Sequence, residues 1–198
     1  MDYSELSLKN TRDKNKDLFN KIDFDYDCVV FIARGAYIIG KDLADFKSVP
    51  LLEIKASRKG GKLKKLIRPF LQMIPKGLKQ KLREKEMNKV SKTPSPERNV
   101  SFDEKAWEKA GSVKSILLVD DSVDTGYSIK ASVDAIKAFY KDATVKVAAF
   151  NVFDASKEFV TTDYFLYTNT CIQGPWPNDS TENKEYIKEY EAWHETSL

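Results

Sequence analysis

Short runs of apolar residues alternate along the chain with segments in which apolar residues recur every three to four positions. The short runs lie at 28–33, 49–56, 116–119, 144–150 and 164–167. The helical spacing is found at 36–46, 128–139 and 181–194. Short apolar runs are typical of strands buried in a parallel sheet, and their alternation with helices predicts an α/β fold. We therefore expect a doubly wound, mostly parallel sheet of about five strands, with helices on both faces and a small hood from the chain ends.

Polar chemistry is concentrated where the third of these strands passes into a helix, in the sequence ILLVDDSVDTGYS at 116–128. At this edge of a parallel sheet, a helix N-terminus presents N–H groups and the positive end of its dipole to an anion. The turn therefore predicts a phosphate cradle, in which glycine lets the backbone approach closely. Its residues are Asp124, Thr125, Gly126, Tyr127 and Ser128.

Asp120 and Asp121 stand beside this cradle, where carboxylates can accept hydrogen bonds from a polyol or hold a hydrated divalent cation. A phosphate, a polyol and a cation together indicate a sugar phosphate. The stretch resembles the 5-phosphoribosyl-1-pyrophosphate (PRPP) motif of the type I phosphoribosyltransferases. The resemblance implies that family's fold and an enzyme that transfers 5-phosphoribosyl from PRPP to an acceptor, releasing pyrophosphate, with Mg²⁺ as cofactor. It also implies that Asp120 and Asp121 hold the ribose hydroxyls and, through PRPP and water, the metal.

A second turn, with the sequence ARGA, follows the first strand. Its position between a strand and a helix predicts another anion cradle, to which Arg34 adds a guanidinium. Ala33-Arg34-Gly35-Ala36 resembles the pyrophosphate loop of the same family, although Ala36 stands where a second glycine is common. The resemblance implies a cis peptide between Ala33 and Arg34 and gives all four residues a part in PRPP binding. It makes Asp124 the base for the acceptor, while Arg34 neutralises the leaving pyrophosphate.

Positive charge is concentrated in one segment of the chain. Residues 58–92 contain thirteen Lys or Arg and two Glu, whereas the whole chain of 198 residues has a formal net charge of +3. Apolar residues there keep helical spacing, which predicts basic amphipathic helices followed by a linker, within an insertion at 58–111 of a single domain at 1–198. The apolar side could pack on the domain or another subunit, or the segment could contact an anionic membrane. Nucleic acid is less favoured, because aromatics for base stacking are nearly absent.

Residues 147–176 give information on the acceptor pocket, because they resemble the C-terminal part of the xanthine-guanine and hypoxanthine phosphoribosyltransferases. By that resemblance, the lysine that contacts the purine 6-oxo group falls on Phe153, and the stacking aromatic falls on Cys171. Ile172 and Trp176 are assigned to the same pocket. A site that lacks the donor to the 6-oxo group should bind 6-oxopurines poorly. We therefore favour as acceptor a sugar hydroxyl on a glycan, including a lipid-linked one in polysaccharide assembly.

Two other functions remain open. One is a purine-salvage phosphoribosyltransferase acting on a nucleobase, and the other is a non-catalytic sensor of PRPP or nucleotide that binds nucleic acid. The N-terminus does not resemble a signal peptide, no apolar run approaches the length of a membrane span, and the two cysteines have no paired spacing. We expect a cytoplasmic homo-oligomer, peripheral at the inner membrane face if the basic segment binds lipid.

Overall fold

A computed structural model describes residues 2–58 and 98–197 of the chain. The strands are β1 (Asp2–Glu5), β2 (Cys28–Ile32), β3 (Leu51–Arg58), β4 (Arg98–Ser101), β5 (Ser115–Val123), β6 (Thr144–Val152), β7 (Tyr164–Thr168) and β8 (Thr170–Gln173). The helices are α1 (Leu8–Phe19), α2 (Tyr37–Lys47), α3 (Glu104–Lys109), α4 (Tyr127–Phe139) and α5 (Asn183–Ser197), and a 3₁₀ turn covers Asp154–Ser156. The strands predicted at 28–33, 49–56, 116–119, 144–150 and 164–167 and the helices predicted at 36–46, 128–139 and 181–194 are present, with boundaries that differ by a few residues.

The central sheet places β2 and β5 side by side in its middle. Within the described residues it has six strands in the order β4-β3-β2-β5-β6-β7. Five of them run parallel, which confirms the predicted α/β fold, and β4 pairs antiparallel with β3 at one edge. From β2 the chain first moves outward to β3 and then returns to the other side of β2 as β5. This reversal is a topological switch point, and ligands of open α/β sheets bind beside it at the carboxyl ends of the strands.

The two faces of the sheet carry separate apolar cores, because successive side chains of a strand point to opposite faces. On β2, Val29 and Phe31 pack with residues of α1, α2 and α5. Val30 and Ile32 of the same strand pack with residues of α3 and α4. Both faces of β2 are therefore buried, which explains its continuous apolar sequence.

The two ends of the chain meet in a small unit that we call the hood, composed of β1, β8 and α5. β1 and β8 pair in parallel, with Tyr3 opposite Cys171. The guanidinium of Arg12, on α1, pairs with Asp42 of α2 at 2.5 Å and with Glu189 of α5 at 2.6 Å. The hood is thus fixed to the helices on one face of the sheet.

Part of the predicted insertion at 58–111 lies within the described residues and forms β4 and α3. Trp107 of α3 is buried, and its indole N–H donates to the Glu53 carbonyl at 3.3 Å. Residues 98–111 therefore extend the sheet edge and complete one of its cores. The amphipathic helices predicted for the basic segment fall, from residue 59 to residue 92, outside the described residues. Among the helices that the structure describes, none is both long and apolar enough to cross a bilayer.

Candidate active site

Two loops flank the switch point at the carboxyl ends of neighbouring strands. The phosphate loop (124–128) leads from β5 into α4, and the arginine loop (33–36) leads from β2 into α2. Because β2 and β5 are parallel and paired, both loops emerge at the same edge of the sheet. The structure thus brings together the two anion cradles predicted from separate parts of the sequence.

The phosphate loop has a backbone conformation that depends on its glycine. Gly126 is the N-cap residue of α4 and has a φ of 79°, in the left-handed region that glycine favours. A Cβ here would also lie 2.6 Å from Cγ2 of Val160. Because Gly126 has no side chain to accept a hydrogen bond, the N–H groups in the first turn of α4 are left to bind an anion.

A cavity of about 270 Å³ opens at the phosphate loop. Its lining residues are Ala56, Arg98, Asp120, Ser122, Val123, Asp124, Thr125, Gly126, Ser128 and Ile129. Arg98 comes from β4 and was not among the residues predicted from the sequence. The cavity therefore combines a guanidinium and a helix N-terminus, which attract an anion, with carboxylates that can accept hydrogen bonds from hydroxyls.

Asp120 and Asp121, which we call the acid pair, lie on the carboxyl half of β5. Asp120 is 8% exposed, and its Oδ1 accepts the N–H of Asp121 at 2.9 Å. Burial and the neighbouring charge of Asp121 raise the pKa of Asp120 well above its usual range. Burial also raises the pKa of Asp121, while hydrogen bonds from Asp120 and Trp176 oppose that rise. Two desolvated carboxylates side by side would be stabilised by hydroxyl donors or by a cation.

The arginine loop contains a cis peptide between Ala33 and Arg34, as the resemblance implies. Ala36 is the N-cap residue of α2 and, like Gly126, offers no side-chain oxygen to the first turn of its helix. Tyr186 of the hood donates its hydroxyl to the carbonyls of Arg34 and Gly35. The hood therefore fixes the loop backbone, while the Arg34 side chain stays exposed.

The two loops approach each other at Gly35 and the acid pair. A Cβ on Gly35 would lie 2.6 Å from Oδ1 of Asp121, which is closer than real side-chain contacts allow. A side chain at this position would have to displace the Asp121 carboxylate, so glycine lets the arginine loop pass this near the acid pair. A ligand with phosphate groups at both ends that spanned the two loops would place its middle beside the acid pair.

The four residues predicted for the acceptor pocket are not among those that line the cavity. Phe153 is buried, and Cys171 and Ile172 lie partly exposed on β8. Trp176 is also buried, with its ring 6.5 Å from that of Tyr186, and it hydrogen-bonds to Asp121. In this structure Trp176 is therefore placed to support the acid pair.

The acid pair also bears on whether a divalent cation fits. Carboxylate oxygens are ligands that Mg²⁺ accepts, and Mg²⁺ commonly keeps water and substrate phosphates as its other ligands. Across residues 2–58 and 98–197, His, Cys, Asp and Glu nowhere form a group of three or more that could hold a metal ion. The acid pair fits a cation whose remaining ligands come from a bound sugar diphosphate and water.

Comparison with solved structures identifies the fold. The chain is similar to a purine phosphoribosyltransferase from Pyrococcus horikoshii, with 18% identity, a TM-score of 0.58, and coverage of 90% of this chain and 95% of that one. It is also similar to a xanthine-guanine-hypoxanthine phosphoribosyltransferase from Helicobacter pylori, with 14% identity, a TM-score of 0.57, and coverage of 94% of this chain and 97% of that one. A third similar structure is a protein from Neisseria gonorrhoeae, described as hypothetical and with bound ppGpp. It has 16% identity, a TM-score of 0.62, and coverage of 96% of this chain and 97% of that one.

These likenesses show that the chain has the fold of the type I phosphoribosyltransferases, as the sequence motifs predicted. No protein-family model and no curated protein sequence matches the chain. At identities this low the likeness establishes the fold, so the activity must be argued from the site itself.

Proposed function

We propose that the protein is a PRPP-dependent phosphoribosyltransferase. The observation that carries the proposal is the placement of the phosphate loop and the arginine loop on either side of a switch point, with the acid pair, of which Asp120 is buried, beside both. In this arrangement the phosphate loop and Arg98 hold the 5′-phosphate, and the arginine loop holds the pyrophosphate. The acid pair accepts the ribose hydroxyls. The purine phosphoribosyltransferases that share the fold support this assignment.

The reaction that follows breaks the bond between C1 of ribose and the pyrophosphate oxygen, and pyrophosphate leaves with the electron pair. The nearby carboxylates stabilise the positive charge that develops at C1, and Arg34 neutralises the leaving group. The acceptor atom forms the new bond to C1, while Asp124 takes the acceptor's proton. Asp124 is exposed at the cavity, which suits a base that must reach a second substrate.

Magnesium fits this proposal as a partner of PRPP. Asp120 and Asp121 would hold Mg²⁺ indirectly, through water and the hydroxyls of the substrate. When bound, the ion neutralises negative charge on the pyrophosphate. The raised pKa of Asp120 supports this role, because a carboxylate that is costly to ionise alone gains most from a nearby cation.

For the acceptor we favour a hydroxyl on a glycan. The side chain at position 153 is a buried phenyl group and that at 171 is a thiol, so neither offers the ammonium donor or the stacking ring expected of a purine site. A hydroxyl also depends more on a base than a purine nitrogen does, which suits the retained Asp124. Contact of the basic segment at 58–92 with an anionic membrane belongs to this proposal, since lipid-linked glycans lie there.

Two observations favour other functions for the same site. Nucleobase phosphoribosyltransferases are among the proteins that share the fold, which favours a nucleobase acceptor. The Neisseria gonorrhoeae protein is described with bound ppGpp, which favours a sensor of phosphorylated nucleotides. Each function predicts a different ligand, so one panel separates them.

The test is release of pyrophosphate from PRPP and Mg²⁺ in the presence of hypoxanthine, guanine, xanthine, orotate or a glycan panel. We expect turnover with a glycan and a loss of roughly 100-fold or more in Asp124→Asn, because a positioned general base contributes about 10²–10⁴-fold. Asp142→Asn, an exposed aspartate remote from the motif, is the matched control. Efficient turnover of a purine would replace the glycan acceptor, and absence of turnover combined with binding of ppGpp would replace the enzyme with a sensor.

A further inference from the structure

A fully buried amide connects the hood to the phosphate loop. Asn151, near the end of β6, is 0% exposed and lies between the apolar residues Phe150 and Val152. Its Oδ1 accepts the backbone N–H of Thr170 at 2.9 Å, and its Nδ2 donates to Oγ of Ser122 at 3.2 Å. Buried amides are destabilising unless they are hydrogen-bonded, so these two bonds account for an asparagine in an otherwise apolar strand.

Ser122 carries this connection on to Asp124. The Ser122 hydroxyl donates to Oδ1 of Asp124 at 2.9 Å. Because Oγ of Ser122 already accepts a hydrogen bond from Asn151, its own proton is directed to the carboxylate. The three bonds therefore run in one direction, from Thr170 to Asp124, and hydrogen bonds in such a series strengthen one another.

The other end of the series is fixed at the start of β8. Asn169 has a φ of 53°, and this turn leads the chain from β7 into β8. Its Oδ1 accepts the N–H of Asp154 at 3.0 Å, which anchors the turn to the end of β6. Thr170 is the first residue of the strand that carries Cys171 and Ile172, the candidate acceptor residues. The position of that strand is thus linked to the carboxylate of Asp124.

We propose that Asn151 and Ser122 are positioning residues that orient the Asp124 carboxylate toward the acceptor and tie its orientation to β8. This inference rests on the proposed function, in which Asp124 is the base. Asn151 is fully buried and Ser122 lines the cavity, but the Ser122 hydroxyl is directed to Asp124. Their effect is exerted through Asp124, and it should disappear when Asp124 cannot act.

The kinetic test compares Ser122→Ala, which removes the donor, with Ser122→Thr, which keeps it. We expect Ser122→Ala to lower kcat by roughly 10- to 100-fold, because misplaced catalytic groups lose activity on that scale. PRPP affinity should change by no more than about twofold, and Ser122→Thr should recover most of kcat. In an Asp124→Asn background, Ser122→Ala should cause no further loss. An equal loss in both backgrounds would overturn the proposal.

Two further variants separate positioning from general damage to the fold. Ser132→Ala is the matched control, because the Ser132 hydroxyl is also buried yet has no hydrogen-bond partner among the described residues. It should leave kcat unchanged. Asn151→Leu should reproduce the kcat loss of Ser122→Ala, and the double variant should lose no more than either single one. Additive losses in the double variant would contradict a single series of bonds.

An NMR titration tests the same inference without turnover. Carbon-13 labelling of aspartate carboxyls, with the Asp124 signal identified by its loss in Asp124→Asn, reports protonation of this group in the presence of its charged neighbours Asp120, Asp121 and Arg98. A donated hydrogen bond favours the charged carboxylate, so Ser122→Ala should move the Asp124 titration to higher pH and Ser132→Ala should not. An unchanged titration would overturn the positioning. If the wild type turns over no acceptor but the titration shifts, the proposed function fails while the positioning stands.

Discussion

The two loops of the candidate site and the hood lie close together, since Tyr186 of the hood contacts the arginine loop, but they are built in different ways. Each loop is formed by consecutive residues at the junction of one strand and one helix, so its chemistry is local to the sequence. The hood is assembled from both chain ends, where Tyr3 of β1 and Gln173 of β8 are joined across 170 positions by a hydrogen bond. The proposed phosphate site therefore depends on local backbone geometry, whereas the proposed acceptor side depends on long-range packing.

The largest effect should come from the backbone of the phosphate loop. Gly126→Ala would force a side chain into a left-handed conformation and against Val160, which displaces the first turn of α4. We expect PRPP affinity to fall by roughly 100-fold, equivalent to about 2.8 kcal/mol at 1.4 kcal/mol per tenfold. Isothermal calorimetry measures this change in PRPP affinity. Gly111→Ala is the control, because Gly111 also has a positive φ but faces open space, so it should lose stability without losing PRPP affinity.

A smaller effect on PRPP affinity is expected at the wall of the cavity that β4 contributes. Arg98→Gln removes the guanidinium that lines the cavity, and we expect PRPP affinity to fall about tenfold, with a weaker dependence on salt than in the wild type. Lys105→Gln on the exposed face of α3 removes the same charge at a remote site. Equal losses in both variants would mean that the effect is one of net charge and that Arg98 does not contact the ligand.

The acid pair gives a prediction on stability with an unusual sign. Because the pKa of Asp120 is raised in the folded protein, the folded state holds a proton that the unfolded state releases. Its contribution to stability is therefore present at low pH and is lost as the pH rises from the ordinary aspartate range through the raised value. Asp120→Asn should raise the Tm of the ligand-free protein at neutral pH and abolish that pH dependence, while weakening PRPP binding.

Thermal unfolding followed by circular dichroism from pH 4 to pH 8 checks this prediction. Each kcal/mol gained should appear as roughly 2–4 °C in Tm for a protein of this size. Asp142→Asn, at an exposed position, should leave the profile unchanged. A lower Tm for Asp120→Asn at neutral pH would contradict the prediction, because it would mean that the Asp120 carboxylate is stabilised even in the absence of ligand.

The smallest effect should come from the contact between the hood and the arginine loop. Tyr186→Phe keeps the ring against Tyr37 and Trp176 but removes the hydroxyl that donates to the Arg34 carbonyl. We expect a loss of stability of about 1 kcal/mol and a fall in PRPP affinity of roughly threefold. Tyr3→Phe, at the exposed end of the hood, should change neither quantity. A loss of PRPP affinity as large as that of Gly126→Ala would mean that the hood shapes the phosphate site directly.

The same difference explains how much the sequence could predict. The five parallel strands, the helices α2, α4 and α5 and both loops were predictable, because a buried strand followed by polar turn residues is a local signal. Arg98 was not, since it reaches the cavity only because β4 folds back on β3. The strand β8 at 170–173 was not predictable either, because its pairing with β1 leaves no period in the sequence. The buried Asn151 was visible within an apolar run, and such a residue is the signal that could have indicated the series of bonds to Asp124.

Binding of PRPP measured by isothermal calorimetry with Mg²⁺ tests the central claim most directly, because it requires no knowledge of the acceptor. We predict one PRPP per chain in the wild type, a loss of roughly 100-fold in Gly126→Ala, and retained binding in Asp124→Asn. Absence of PRPP binding by the folded wild-type protein, with ppGpp bound instead in a manner that Gly126→Ala abolishes, would contradict the claim.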